Sequence, residues 1–342
     1  MEQAGSYGIG IDLGGTTFTV GVFTQSGEAL CHASQDTPST GDPELIARAL
    51  AEAAREQMAA VEAPLDEVVG VAIGFPGPVD PDTGVVKHAP NIHCLAGYAL
   101  TAAVSRYLDG AEVSLQNDAY CATLAELRWG AGRNVANMLM LTLGTGIGGG
   151  VALCNEVVRG PRQILGEVGH IIIDPNGRKC GCGCFGCLEA VAAKQAIIDL
   201  AASEIQSGRP TLLTELVAGD QEALTPEVVA RAAEEGDAAA VSVYERIGFH
   251  IGVALCNCIV LTDPDLIVLG GGIAAAGDVL FGPIRRTVAA RSLISGFDVS
   301  KIVPARFGNL AGIYGAGALA WEQAHRAAGF GVRDCSPTTS SH

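Results

Sequence analysis

The amino-acid sequence predicts an α/β protein built as two related halves. Three observations lead there. The chain has 342 residues, a length that suits two domains or one domain in two lobes. Short apolar runs rich in β-branched residues alternate with longer segments of helical period. One pattern also occurs twice: an apolar strand, a Gly/Thr turn and a second strand, over 7–24 and again over 137–154.

Residues 7–13 are apolar and stop at Gly14-Gly15, so they read as a buried strand. Residues 16–24 (TTFTVGVFT) are β-branched and aromatic and read as its partner, with a third strand over 28–33. Leu45, Ile46, Ala49, Leu50 and Ala53 recur at helical spacing and predict a helix over 43–61. The run VVGVAIG (68–74) is a buried strand ending at Phe75-Pro76-Gly77-Pro78. A loop over 91–98 leads into a helix to 108. A short strand over 112–115 then runs into Gln116-Asn117-Asp118, where a helix to about 129 starts. Asn and Asp at such a junction are common N-caps.

The second half opens with a strand over 137–143, a glycine-rich turn from Gly144 to Gly150, and a strand over 151–154. Residues 188–218 are helical with a break at Gly208-Arg209-Pro210. Thr225-Pro226 opens the next helix, with Pro at its first position. A long apolar helix over 238–261 is stopped by Asp263-Pro264. A strand over 266–269 enters Gly270-Gly271-Gly272, a helix follows over 278–290, and the last strand is 301–305. The last helix, 311–328, begins AGIYGAGALA, small residues that permit close backbone approach. Residues 332–342 read as a loose polar tail.

The formal charge of −16 argues against non-specific binding to nucleic acid or anionic membrane. No apolar run reaches the roughly 18 residues of a membrane span. The start, MEQAGSYGIGIDL, has no basic region and runs straight into a strand, so it does not read as a signal peptide. The 11 cysteines are partly scattered and partly clustered, which suits a reduced cytoplasm better than a disulfide framework.

Two features carry chemistry. The stretch GEVGHIIIDPNGRKCGCGCFGCLE holds His170, Cys180, Cys182, Cys184 and Cys187, more soft ligands than one zinc ion needs, bracketed by Glu167 and Glu189. The run Asp12-Leu13-Gly14-Gly15-Thr16-Thr17 puts a carboxylate at a strand end and two glycines in the turn. Glycine lets backbone N–H groups approach phosphate oxygens. Alone, that run is equally a plain hairpin; its match at Gly144 to Gly150 suggests two turns gripping a polyphosphate. Neither fits the P-loop pattern G-x-x-x-x-G-K-[ST], and neither is a G-x-G-x-x-G turn opening a helix.

Together these residues resemble the ROK family (repressor, open reading frame, kinase), within the superfamily of sugar kinases, actin and related chaperone ATPases. DLGGTT resembles its first phosphate motif, LGTGIGGG its second, and PDLIVLGGG its adenosine motif. GEVGH followed by CGCGCFGCLE resembles the family signature. The resemblance runs from residue 8 to about 320. It implies a two-lobed actin-like ATPase (ribonuclease H-like) fold with an interdomain cleft. The implied lobes are 1–121 plus about 310–330, and 122–309 with the zinc site, leaving 331–342 as a flexible tail.

The resemblance also implies roles. Zinc would be held by His170, Cys180, Cys182 and Cys187. With four protein ligands it would be structural, and Cys184 would take no part. Asp118 would be the catalytic base, and Gly77, Asn91, Asn117, Glu167, His170 and Glu189 would meet the sugar. Asp12 would sit near water bound to Mg²⁺. Gly14, Gly15, Thr16, Thr17, Gly144, Thr145, Gly146, Gly270, Gly271 and Gly272 would hold ATP. Two departures stand out. The family often reads N-x-P-G-W where this chain has Asn91-Ile92-His93-Cys94-Leu95, and Thr17 replaces a frequent lysine. His93 reads as an exposed loop histidine.

The implied activity is ATP-dependent phosphorylation of a hexose at the 6-hydroxyl, glucose first. N-acetylglucosamine, N-acetylmannosamine, mannose, fructose and allose are alternatives, as is polyphosphate for the donor. The implied protein is a cytoplasmic homo-oligomer, a dimer or tetramer. The competing class is a sugar-responsive regulator. Family repressors carry an N-terminal helix-turn-helix domain, whereas only about six residues precede the first strand here.

Overall fold

The first sheet is ordered by a hairpin and two parallel crossovers. The structure, a computed structural model, describes residues 7–39 and 41–327, so the tail expected over 331–342 lies outside it. The strands are β1 (Tyr7–Leu13), β2 (Thr17–Phe23), β3 (Ala29–Asp36), β4 (Val68–Phe75), the small hairpin β5 (Val79–Asp80) and β6 (Val85–Val86), and β7 (Val113–Asn117). The sheet order is β3-β2-β1-β4-β7. β1 pairs antiparallel with β2 and parallel with β4, and β4 pairs parallel with β7. In register, Asp12 faces Gly74 and Phe75 faces Asn117. Asp12 and Asn117 therefore end up at the same edge of the sheet, beyond the carboxyl ends of parallel strands, where α/β proteins place ligands.

Strand alternation divides β1 cleanly. Ile9, Ile11 and Leu13 are buried in one cluster with Ile46 and Leu50 of the helix Pro43–Ala60 and with Leu100 and Val104 of the helix Leu100–Tyr107. Gly8 and Gly10 face the opposite way, toward the helix Ala311–Ala327. A Cβ on Gly10 would lie 2.5 Å from the Gly317 nitrogen and 2.5 Å from the Ile313 oxygen. One on Gly315 would lie 1.8 Å from the Cys121 oxygen in the helix Asp118–Arg128. The small residues of AGIYGAGALA are thus a packing requirement: two backbones press on this helix directly.

The second sheet repeats the plan. Its strands are β8 (Met138–Leu143), β9 (Ile147–Leu153), β11 (Leu266–Gly270) and β12 (Ile302–Pro304), with the two-residue β10 (Glu156–Val157) between β9 and β11 in the chain. β8 pairs antiparallel with β9 and parallel with β11, and β11 pairs parallel with β12. β9 starts at Ile147, earlier than the sequence indicates, and takes in Gly148-Gly149-Gly150. The reason is steric. A Cβ on Gly149 would meet the Gly166 oxygen at 2.7 Å and the Met140 oxygen at 2.8 Å, and one on Gly169 would meet the Ile147 oxygen at 2.0 Å. The GEVGH segment therefore lies backbone to backbone on β9.

The chain divides into two compact units. The first is the chain up to Asn134, Cys154–Val157 and the chain from Asn309; the second is Val135–Leu153 and Val158–Gly308. A boundary at 121 would cut the helix Asp118–Arg128, which stays whole in the first unit because its buried residues run through Leu127. In the second unit the stretch after Leu188 is broken earlier than Gly208. Ala193 is extended at ψ 178° and separates the helices Leu188–Ala192 and Lys194–Gln206. The helix Pro226–Glu234 begins as expected, with the Thr225 hydroxyl accepting from the Val228 N–H at 3.4 Å.

The helix Ala238–Thr262 is long and apolar enough to cross a membrane, a run the sequence reading did not register. Its apolarity belongs to the core. Tyr244, Ile247, Ile251, Leu255 and Ile259 are buried in the main cluster of the second unit. Gly248 and Gly252 admit the helix Asp278–Arg291, since a Cβ there would lie 2.5 Å from Pro283 Cβ and 2.6 Å from Thr287 Cβ.

Candidate active site

In the first unit the Gly/Thr turn joins β1 to β2. The Gly14 N–H donates to the Thr17 oxygen at 2.9 Å. Gly15, Thr16 and Thr17 are exposed, and among the described residues the N–H groups of Gly15 and Thr16 have no acceptor. A Cβ on Gly15 would lie 2.9 Å from Asn91 Cβ, so the turn and Asn91 are neighbours. Asp12, just before the turn, is overlooked by the first turn of the helix Ala311–Ala327, where a Cβ on Gly312 would lie 2.4 Å from Asp12 Oδ2.

At the end of β7, Asn117 caps the helix Asp118–Arg128, its Oδ1 accepting from the N–H groups of Ala119 (2.9 Å) and Tyr120 (3.3 Å). Its Nδ2 donates to the Gly77 oxygen at 3.4 Å, which brings those two predicted residues together. Asp118 Oδ1 accepts from the Ala119 N–H at 2.8 Å. Capping and a chemical role therefore coexist in adjacent side chains. Burial raises the Asp118 pKa above the usual carboxylate range, against the pull of these hydrogen bonds. Burial, and then the charge of Asp118, pushes Asp12 up to about 6. The sheet edge thus carries a pair of electrostatically linked carboxyls, one following β7 and one ending β1.

In the second unit Glu189 is the pivot. Its Oε2 accepts from the Ile147 N–H at 3.0 Å, beside Gly146, while its Oε1 accepts from the Cys180 thiol at 3.5 Å. The second Gly/Thr turn is held as well by the Lys194 N–H, which donates to the Gly144 oxygen at 3.0 Å. Glu167 and His170 share a short 3₁₀ turn, closed by the His170 N–H donating to the Glu167 oxygen at 3.0 Å. Gly271, at φ +84°, lies so close to the end of β8 that a Cβ would meet the Leu143 oxygen at 2.3 Å. Gly270 packs against Met140 and Ala305, whereas Gly272 faces open space.

His170, Cys180, Cys182 and Cys187 converge, one ligand atom from each, all within 4.8 Å of one another. Cys182 Sγ lies 3.7 Å from Cys187 Sγ, and Cys180 Sγ lies 3.8 Å from His170 Nδ1. A tetrahedron with metal–sulfur bonds of about 2.3 Å has an edge of about 3.8 Å, so the donor set fits a closed four-ligand site. A backbone hydrogen bond at Cys184 lowers the Cys182 thiol to about 7, while burial pushes the Cys180 thiol up to about 12. None of the four thiols is in a disulfide, and Cys184 stands exposed outside the ligand group. With Nδ1 turned to the thiols, the His170 Nε2 is left for another partner.

Sequence reasoning missed two residues here. Thr37 is buried, its hydroxyl donating to the Gly14 oxygen and its N–H to the Thr16 oxygen, each at 2.8 Å. Gln116 is buried beneath Asn117, its Oε1 accepting from the Asn117 N–H at 3.1 Å. Its Nε2 has no partner among the described residues. The available signal for Thr37 was its place just beyond β3, the strand that pairs with the turn's own β2.

The family model described as the ROK family matches residues 8–323. The chain belongs to the ROK family. Over 92% of this ROK protein and 97% of the relative, it is 36% identical to a glucokinase of Thermotoga maritima. It is also similar to the crystal structure of a ROK family glucokinase from Streptomyces griseus in complex with glucose and AMPPNP. That match has a TM-score of 0.77 and 31% identity, covering 93% of this chain and 100% of the other. A ROK family transcriptional regulator, a homologue of the Escherichia coli MLC protein, gives a TM-score of 0.82 at 30% identity, over 95% of this chain and 79% of its own. The fold is that of the actin-like ATPase superfamily.

Proposed function

We propose that this ROK protein transfers the γ-phosphoryl group of ATP to the 6-hydroxyl of glucose. The observation that carries the reading is Asp118, a desolvated carboxyl beyond β7 with Asp12 at the same sheet edge. The likeness to glucokinases supports it. Phosphoryl transfer asks the protein to align, to neutralise charge and to accept one proton. Asp118 takes the proton of the 6-hydroxyl as the oxygen attacks. Asn117, Asn91 and the Gly77 backbone are the sugar-orienting groups of this reading, with Glu167, the His170 Nε2 and Glu189. The N–H groups of Gly15 and Thr16, and the turn Gly144-Thr145-Gly146, take phosphate oxygens, while Gly270, Gly271 and Gly272 shape the adenosine side. Thr17 adds a hydroxyl where a lysine would add charge. ATP would bring Mg²⁺ to screen its phosphates, and Asp12 is the carboxylate that would serve that ion.

Zinc is the metal that best suits one imidazole and three thiolates, and its part is to hold Glu189 and His170 in place. The reaction belongs to the cytoplasm, where these thiols stay reduced. Val260, Leu261, Leu293 and Ile294 leave apolar surface exposed on the second unit, which supports a homo-oligomer; sedimentation velocity gives its size, and a monomer at working concentration overturns it. A coupled ADP assay over glucose, mannose, fructose, allose and the N-acetylhexosamines tests the substrate, and an N-acetylhexosamine turned over faster than glucose would replace it. Silence toward every sugar, together with salt-resistant specific DNA binding, would favour the regulator reading that the likeness to the MLC homologue raises.

Two linked carboxyls also set a pH dependence. Asp12 at about 6 and the raised Asp118 must both be ionised in the free enzyme. The kcat/KM for glucose is therefore expected to climb with pH through about 6, where Asp12 ionises, and to level off only once the raised Asp118 has ionised as well. A profile already flat from pH 5 upward would contradict that assignment.

A further inference from the structure

We propose that Thr37 is a positioning residue for the nucleotide's phosphates, acting through the first Gly/Thr turn. The inference rests on reading that turn as a phosphate cradle. A turn of four residues has carbonyl oxygens as well as N–H groups, and a carbonyl dipole directed at a phosphate repels it. Here two of those carbonyls are tied back by one residue. The Thr37 hydroxyl donates to the Gly14 oxygen and the Thr37 N–H donates to the Thr16 oxygen, each at 2.8 Å. The Gly14 N–H is used within the turn, on the Thr17 oxygen. The N–H groups of Gly15 and Thr16 keep their hydrogens exposed and unengaged among the described residues.

Thr37 is only 7% exposed, so water does not replace its hydroxyl freely. Its backbone is fixed by the preceding strand, in which Asp36 pairs with Thr17. The residue thus reaches the turn from outside, where it touches no ligand, and sets which polar face the turn presents. Its side chain is also the short, branched type that fills a buried site and still supplies a hydroxyl. Thr37→Val keeps that shape, removes the donor, and leaves the half-buried Gly14 oxygen without its partner.

The experiment compares Thr37→Val, Thr37→Ser and Thr16→Ala in the full chain, measuring KM for ATP and for glucose and calorimetric binding of Mg-AMPPNP. Thr37→Val is expected to raise KM for ATP and the AMPPNP dissociation constant about ten-fold, the scale of one lost buried hydrogen bond. Its KM for glucose should stay within about two-fold of wild type, and Thr37→Ser should restore ATP binding. Melting curves confirm that each variant is folded. A general packing defect would worsen both substrates together and overturn the proposal. An unchanged ATP constant in Thr37→Val also overturns it. If Thr16→Ala weakens ATP binding in that case, the turn remains the phosphate site; if the wild-type chain itself binds no Mg-AMPPNP, the phosphate reading of the turn falls too.

Discussion

Replacing Asp118 by asparagine is expected to lower kcat for glucose phosphorylation by about 10²–10⁴-fold, the usual contribution of one positioned base. The fold should survive. Asparagine has the same shape and can still accept the Ala119 N–H that Asp118 Oδ1 accepts at 2.8 Å. Stability should not fall either. Burial raises the Asp118 pKa from its ordinary 3.8, so the folded chain holds that proton more tightly than the unfolded chain. Ionisation at neutral pH therefore works against folding, and the penalty disappears only as pH drops below the ordinary value. At pH 7 the asparagine variant is expected to melt at or above the wild-type temperature. Glucose and AMPPNP binding should change little, since the loss concerns proton acceptance. Turnover near wild type would remove Asp118 from the mechanism.

The second large effect concerns the His170, Cys180, Cys182 and Cys187 group. Stripping the proposed zinc, with removal verified by elemental analysis, is expected to raise KM for glucose on the order of ten-fold, the size of one displaced charged hydrogen bond. Three thiols and an imidazole without a cation have no reason to stay converged. Cys180 then no longer limits Glu189 Oε1, which it meets at 3.5 Å. KM for ATP should rise by less, because Glu189 Oε2 reaches the second Gly/Thr turn through the Ile147 N–H. Cys182→Ser tests the same point without chelator, whereas Cys184→Ser, outside the group, should behave as wild type. An unchanged glucose KM after verified metal removal would show that the cluster does not shape the sugar site.

Most of the scaffold was legible because its signals are local. Apolar runs marked β1, β4, β8 and β11, and the Thr225-Pro226 cap marked its helix. What escaped depends on contacts far apart in sequence. Gly148 to Gly150 look like a loop until they are seen paired with β8 and covered by Gly166, which lies on Gly149 and Gly150. Ala193 has good helix propensity, yet it is extended between two helices. The site shows the same division. Asp118 and Asn117 share a junction that the chain order reveals. The approach of Asn91 to Gly15, the hold of Thr37 on Gly14, and the reach of Glu189 to Ile147 each join segments that no periodicity connects.

The seam between β9 and the segment Gly166–His170 has a wider consequence. Gly149, Gly166 and Gly169 are there because no side chain fits between the two backbones. The most recognisable letters of GEVGH are thus a record of available space, and they carry no information about turnover. A descendant of this chain could exchange Asp118 for an inert residue, keep every one of those glycines, and remain a folded sugar binder. On the proposed mechanism, whether a protein with this seam is a catalyst turns on the carboxylate of Asp118, a position the seam does not constrain.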